Sequence, residues 1–180
     1  RQNDLKASIL IPQGESLFNF YARFGYEPHF YISQKEFSKQ DNITHDFKLT
    51  ICTKNDIQKL NALYENTLLN TDYLIRDEHY WKAQIKMFKE LNGNVFCLKN
   101  EDILLGYAFV WSGNDIGVQE LVCVNEEAEN ILANEILKHY NVSNLKAFLL
   151  NQSPSQKLGC IKLYESYETN KSLIMNLMFN

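Results

Sequence analysis

Three apolar runs separated only by short polar turns constrain the fold of this chain most strongly. They cover residues 95–98, 103–111 and 118–124. Each is rich in the β-branched and aromatic residues typical of strands, and the turns contain Asn, Asp and Gly. Because strands joined by such short connections pair antiparallel, the runs predict a three-stranded meander.

Helical periodicity lies on both sides of the meander. Apolar residues recur at helical spacing in two segments before it and in one segment after it. The predicted elements are a strand over 47–52, a helix capped by Thr53 or Asn55 and running to residue 68, a helix over 77–91, the meander, a helix over 126–140 and strands over 145–150 and 173–179. The order predicts an α/β fold of the α+β kind, with a mixed, mostly antiparallel sheet flanked by helices.

The first 46 residues form a pattern of their own. They predict a strand over 7–11, a helix over 15–24 that ends at Gly25, a strand over 29–37 and a polar linker up to residue 46. The chain has no initial Met and reaches an apolar strand within a few residues, so we expect it to begin in mid-domain. We therefore predict two domains, 1–45 and 46–180.

Charge and hydropathy exclude two classes of partner. The net charge is −4, and the 18 Lys and Arg residues form no dense run, which argues against nucleic acid. No apolar run is long enough to span a membrane, and the start is not a signal peptide. We expect a cytoplasmic protein whose acidic balance suits a cationic small molecule; a homo-oligomer is compatible with the sequence.

Cysteine and histidine spacing predicts no metal site. The cysteines lie far apart among apolar neighbours and are expected to be buried free thiols: Cys52, Cys97, Cys123 and Cys160. The four histidines show no ligand spacing such as HxxxH: His29, His45, His79 and His139.

One segment carries a family resemblance. Ile9-Leu-Ile-Pro12, followed by Phe20-Tyr-Ala-Arg-Phe-Gly-Tyr26, resembles the strand-helix-strand that closes a GNAT N-acetyltransferase. The sequence from Tyr21 to Tyr26 is especially similar to that of the enhanced-intracellular-survival type of acetyltransferase. In that type a catalytic GNAT domain is followed by a degenerate second one. The resemblance implies that 1–45 is the end of a catalytic domain and 46–180 a degenerate GNAT-like domain. Gly14 stands where many members have Asn.

The resemblance implies a role for Tyr21 close to the CoA sulfur. Acetyl transfer from a thioester to an amine needs a base for the amine proton and an acid for the departing thiolate. A phenol has a suitable pKa for that acid. We therefore predict Tyr21 as the general acid, with Phe20 and Tyr21 contacting acetyl-CoA. The alternative is that Tyr21 only belongs to an aromatic helix face with Leu17, Phe18 and Phe24.

Three nearby polar residues have simpler explanations. Glu15 and Ser16 could be read as a substrate carboxylate and a nucleophile, but capping of the helix start explains them better. Arg23 could clamp a phosphate or be a solvated charge.

The second domain lacks a glycine-rich phosphate loop. Such a loop presents backbone amides to a pyrophosphate at a helix start. Here the strand over 118–124 leads into Asn125 and then Glu126, Glu127 and Glu129, with no glycine. These carboxylates would repel a phosphate, and could attract a cation or simply favour the helix dipole. We expect the chain by itself to bind no acetyl-CoA and to be inactive.

Two further hypotheses concern the acceptor side. His79, with Asp77, Glu78 and Trp81, could line an amine pocket or form a capped helix start. In the enhanced-intracellular-survival enzymes the terminal carboxylate is the base, which makes Asn180 a candidate. The resemblance thus implies an acetyl-CoA-dependent N-acetyltransferase acting on an amine. The alternative is a non-catalytic GNAT-like module that binds a ligand or partner.

Overall fold

The computed structural model describes residues 7–41, 43–69, 73–113, 116–150, 156–164 and 173–174. Within them the helices are α1 (Glu15–Ala22), α2 (Ile57–Thr67), α3 (Glu78–Glu90) and α4 (Glu126–Tyr140), and a 3₁₀ helix spans Lys54–Asp56. The strands are β1 (Ala7–Leu10), β2 (Glu27–Ser38), β3 (Lys48–Ile51), β4 (Asn94–Asn100), β5 (Ile103–Ser112), β6 (Ile116–Cys123), β7 (Asn144–Leu149), β8 (Gln156–Leu163) and β9 (Leu173–Ile174).

The described strands form one mixed sheet. Its order is β1-β8-β2-β7-β6-β5-β4-β3, and β9 pairs with β2. All adjacent pairs on that path are antiparallel except β6 and β7, which are parallel. The predicted mixed, mostly antiparallel sheet flanked by helices is confirmed.

The long strand β2 connects two parts of the sheet. Its first half pairs with β8, as far as Ile32 opposite Gln156. Its second half pairs with β7, beginning with Ser33 opposite Leu149. At this change of partner, Ile32 and Ser33 are both buried, which interrupts the alternation of buried and exposed side chains that a strand normally shows. The segment before residue 38 is thereby joined to the later strands by backbone hydrogen bonds.

Two apolar clusters cover opposite faces of the sheet. Successive residues of β5 show the division, because Ala108 and Val110 belong to the cluster under α4, whereas Tyr107 and Phe109 belong to the cluster under α2 and α3. All four of these side chains are fully buried. The centre of β5 is thus buried on both faces, which explains why it is apolar without alternation.

The predicted meander is confirmed as β4, β5 and β6, and the predicted helix over 126–140 has the bounds of α4. The other predicted elements are present with ends shifted by a few residues. The terminal strand predicted over 173–179 is described only at Leu173–Ile174. All four cysteines are buried and free, as predicted. The prediction missed β8, whose sequence Gln156-Lys-Leu-Gly-Cys-Ile-Lys-Leu163 mixes polar residues and a glycine with too few apolar ones to stand out.

We expect Gly106→Ala to destabilise the protein. Gly106 on β5 lies opposite Cys123 on β6. A Cβ added at Gly106 would collide with the Cys123 sulfur and lie only 3.1 Å from the backbone oxygen of Val122. Overpacking of this kind costs about 1–3 kcal/mol of the free energy of unfolding. Urea denaturation measures it. Gly117→Ala is the matched control on β6, because nothing lies within 4 Å of its added Cβ; equal losses from the two variants would contradict the packing argument.

Candidate functional site

Helix α1 carries the predicted general acid between β1 and β2. Gly14 precedes the helix with φ of 94° and Gly25 follows it with φ of 81°, a backbone region that favours glycine. Tyr21 lies in the last turn and is half-buried. Its ring makes edge contacts with those of Phe20, at 5.2 Å between centroids, and Tyr26, at 5.9 Å. Tyr21 is therefore held by aromatic contacts with one side open to solvent.

The hydroxyl groups around Tyr21 differ in their bonding. The Tyr26 hydroxyl and the Ser8 hydroxyl are 2.7 Å apart, and Ser8 is 3.0 Å from the Tyr164 hydroxyl. Among the described residues, no side-chain hydrogen bond engages the Tyr21 hydroxyl. Tyr26 thus has a structural role in joining β1 to the start of β2, whereas the Tyr21 phenol remains available to a reacting group.

The apolar face predicted for α1 is mostly uncovered. Of its five apolar residues only Phe18 is buried. Leu17, Phe20 and Phe24 are 36%, 46% and 53% exposed. Phe20 faces solvent, and its contact with the cosubstrate stays a prediction. An amphipathic helix normally buries such a face, so this face of α1 is suited to contact something outside the described residues.

A cavity of about 480 Å³ lies at the other end of α1, where β1, α1 and β8 meet. Its lining includes Gly14, Glu15, Phe18 and Lys157 but neither Phe20 nor Tyr21. Glu15 accepts a hydrogen bond from Lys157 at 2.9 Å. The structure therefore engages Glu15 in an exposed ion pair at the helix start. Its neighbour Ser16 is exposed and makes no cap, since no side-chain hydrogen bond caps this helix.

Arg23 follows α1 and is exposed. Its backbone N–H donates to Phe20, which closes the last turn of the helix. The arrangement agrees with a solvated charge at the helix end.

Side chains close the start of α4, where the sequence predicted the phosphate loop to be lacking. Asn125 caps the helix by accepting a hydrogen bond from the N–H of Ala128 at 2.8 Å. Lys35 of β2 donates to Glu129 at 2.6 Å and to Glu126 at 3.4 Å. Glu129 is only 1% exposed. The first turn thus combines a satisfied cap with a partly buried ion pair that links it to β2.

The acidic side chains raise the pKa of Lys35. Burial alone would lower this pKa, but the hydrogen bonds and charges of Glu129 and then Glu126 outweigh it. Lys35 therefore stays protonated, and its charge is already committed to these two carboxylates.

A buried ion pair lies on the opposite face of the sheet. Arg76, in the segment before α3, donates to both carboxylate oxygens of Glu120 on β6, at 2.6 and 2.8 Å. Tyr107 on β5 donates its hydroxyl proton to the same carboxylate at 2.8 Å. Arg76 and Glu120 are 1% and 0% exposed. A forked Arg–carboxylate geometry is the one that best offsets the cost of burying both charges.

Aromatic rings complete the surroundings of Arg76. Its guanidinium carbon is 3.9 Å from the centre of the Tyr64 ring and 5.2 Å from that of Trp81. Burial alone would lower the pKa of Arg76. The charge of Glu120 and the hydrogen bonds to it outweigh burial and raise this pKa above its ordinary value. Burial raises the pKa of Tyr107 well above its ordinary value, and Glu120 adds to the rise. The guanidinium is charged, and the phenol keeps its proton.

The acidic-aromatic group predicted near His79 is only partly assembled. Asp77 caps α3 by accepting from the N–H of Tyr80 at 2.7 Å. A cavity of about 260 Å³ between α2 and α3 is lined by Asp77, Glu78 and Trp81 among others, but His79 does not line it and is exposed. The capped helix start is thus present. Asn180 lies outside the described residues.

Sequence reasoning missed the roles of Arg76, Glu120 and Lys35. Glu120 carried a detectable signal, because it is a charge inside the apolar run 118–124 and buried carboxylates need a partner. Arg76 and Lys35 carried none, since each lies among other polar residues in a segment far from its partner.

No family model matches the chain, and no curated protein matches it. Solved structures do. A GCN5-related N-acetyltransferase from Kribbella flavida is 15% identical with a TM-score of 0.63, over 89% of this chain and 43% of its own length. One from Anabaena variabilis is 17% identical with a TM-score of 0.60, over 89% and 46%. A conserved protein of unknown function from Enterococcus faecalis is 14% identical with a TM-score of 0.60, over 88% and 45%.

The chain has the GNAT fold. At these identities the likeness establishes the fold alone, and the predicted GNAT-like architecture is confirmed at that level. The chain spans less than half the length of these three structures. In the part of the chain that the structure describes, no helix has the length and apolar character needed to cross a membrane.

We expect Arg76→Leu to lower the free energy of unfolding by about 3–5 kcal/mol, because Glu120 would keep a buried charge without its cation. Urea denaturation measures the loss. The double variant Arg76→Leu/Glu120→Leu should recover part of it, since neither charge is then buried. Lys82→Met is the control: its ion pair with Glu78 is exposed, and the expected change is below about 1 kcal/mol. A loss for Arg76→Leu no larger than for this control would contradict the assignment.

Proposed function

We propose that this chain is the C-terminal part of an acetyl-CoA-dependent N-acetyltransferase of the tandem, enhanced-intracellular-survival type, which acetylates an amine. The observation that carries the proposal is the placement of Tyr21 on α1 of a GNAT fold, half-buried and with a hydroxyl that no described side chain engages. In this proposal residues 1–45 end the catalytic domain, and residues 46–180 form the degenerate second domain.

Tyr21 acts on the leaving group in the proposed reaction. The neutral amine attacks the thioester carbonyl, and the C–S bond of the tetrahedral intermediate breaks to leave a CoA thiolate. The phenol of Tyr21 donates its proton to that thiolate, since the two groups have comparable basicity. A base takes the proton that the amine loses. The terminal carboxylate of Asn180 remains the candidate for that base.

The exposed face of α1 supports a site completed by another segment. Leu17, Phe20 and Phe24 leave an apolar surface beside Tyr21. The matched structures are more than twice as long as the part this chain covers. We therefore propose that a preceding segment packs on this face and supplies the phosphate loop. A reading frame that holds no such loop upstream of residue 1 would refute the enzymatic proposal.

The second domain shapes the acceptor side in this proposal and does not hold CoA. The start of α4 does not present open backbone amides. It carries the Asn125 cap and the Lys35 ion pairs, together with the carboxylates of Glu126, Glu127 and Glu129. This same closure favours a second candidate function, a non-catalytic GNAT-like module that binds a ligand or partner. The two candidates differ in whether Tyr21 affects turnover.

We expect Tyr21→Phe in the full-length protein to lower turnover by roughly 100-fold or more, the usual loss for a general acid. Steady-state acetylation of a panel of amines measures it. Tyr26→Phe is the matched control, because Tyr26 lies beside Tyr21 but bonds to Ser8; it should change turnover little and lower the free energy of unfolding by about 1 kcal/mol. Equal turnover for the wild type and Tyr21→Phe would assign Tyr21 to packing alone.

Titration of the 180-residue chain with acetyl-CoA in a calorimeter should show no specific binding, because the start of α4 presents carboxylates where a pyrophosphate needs amides. The full-length protein in the same buffer should bind. Micromolar affinity of the 180-residue chain would place the phosphate site within it and overturn this part of the proposal.

A further inference from the structure

Two cysteines and an aspartate meet at the edge of the sheet far from α1 in the chain. Cys52 follows β3, Asp56 ends the 3₁₀ helix, and Cys97 lies on the neighbouring strand β4. Their sulfur and carboxylate donor atoms all lie within 4.8 Å of one another. The three residues are 7%, 4% and 0% exposed. Of the described residues that could ligate a metal, these form a buried group of three.

The backbone places the two sulfurs on one face of the sheet. Thr50 on β3 lies opposite Cys97, and the N–H of Cys52 donates to Val95 at 2.7 Å, which continues the ladder by one pair. Residues two apart on a strand share a face. Cys52 and Cys97 are therefore diagonal neighbours on the side that the 3₁₀ helix covers, where Asp56 completes the triangle.

The triangle has nearly the size of a zinc coordination shell. Three points no more than 4.8 Å apart have a common centre within 4.8/√3 Å of each, which is about 2.8 Å. Zinc binds thiolate sulfur at about 2.3 Å and carboxylate oxygen at about 2.0–2.2 Å. A shift of roughly half an ångström by each side chain would bring the donors to those distances, with a fourth position left for water.

The charges around the triangle also suit a divalent soft metal. Lys99 donates to Asp56 at 2.6 Å and is itself partly exposed. Two thiolates, one carboxylate, the Lys99 ammonium and a divalent cation sum to zero. On binding, two S–H bonds break, two metal–sulfur bonds form and two protons leave to solvent.

We propose that Cys52, Asp56 and Cys97 form a zinc-binding site that clamps β3 and the 3₁₀ helix to β4. Two sulfurs and one oxygen select zinc over magnesium or calcium, which take oxygen ligands. The proposal replaces the expectation from sequence that no metal binds. Spacing along the chain did not reveal the site, because Cys97 lies on a different strand, far along the chain from Cys52 and Asp56. It is independent of the proposed acetyltransferase function.

Cobalt(II) titration of the reduced, tag-free protein tests the proposal directly. We expect one equivalent of Co²⁺ to give the near-ultraviolet band of thiolate-to-cobalt charge transfer and the visible bands of a tetrahedral ion. One equivalent of Zn²⁺ should remove both. Cys97→Ser and Cys52→Ser should each weaken Zn²⁺ binding by more than about 100-fold, since even residues that only support ligands contribute roughly 10- to 100-fold.

Cys160→Ser is the matched control, because Cys160 is also a buried free thiol but lies on β8; it should bind Co²⁺ as the wild type does. Circular dichroism establishes that each variant is folded. If one cysteine variant fails to fold, the other still tests the site. Absence of a charge-transfer band in the wild type, or a band that survives in the two ligand variants, would overturn the proposal.

Discussion

The change of partner within β2 is the constraint on which the arrangement of this molecule depends. Each half of this strand must satisfy its backbone hydrogen bonds, and it does so with β8 up to Ile32 and with β7 from Ser33 onward. Because β2 follows α1 directly, the same pairing sets where Tyr21 lies relative to the sheet. Lys35, in the second half of the strand, then reaches Glu129 and closes the start of α4. One strand thus positions the candidate acid and supplies the ion pair at the start of α4.

Two groups of buried polar side chains lie on the same face of the sheet. Under α2 and α3, Glu120 is matched by the fork of Arg76 and the hydroxyl of Tyr107, so that both charges have hydrogen-bonding partners. At the outer edge, Asp56 accepts hydrogen bonds from Lys99 and Thr53, and the sulfurs of Cys52 and Cys97 lie beside its carboxylate. The Arg76–Glu120–Tyr107 group is a structural element whose charges are already paired. The second has donor atoms that a metal could bring together, which is why it carries the further proposal.

Helix α1 and the start of helix α4 differ in how completely the described residues cover them. Helix α1 leaves Phe20 and Phe24 in solvent beside Tyr21, whereas the start of α4 has its cap and ion pairs satisfied within the described residues. An uncovered apolar face needs a partner to bury it, but a satisfied helix start has nothing further to bind. In the proposed reaction the leaving group is therefore placed beside α1.

The sequence by itself determined the local elements. Periodicity and turn residues predicted the meander and the bounds of α4, because these patterns arise from contacts between near neighbours. It missed β8, whose strand character depends on pairing with β1 and β2 rather than on its own composition. Only the tertiary structure decided that Arg76 meets Glu120, that Lys35 meets Glu129 and that Cys52 meets Cys97, since each pair joins segments tens of residues apart whose proximity depends on strand order and register.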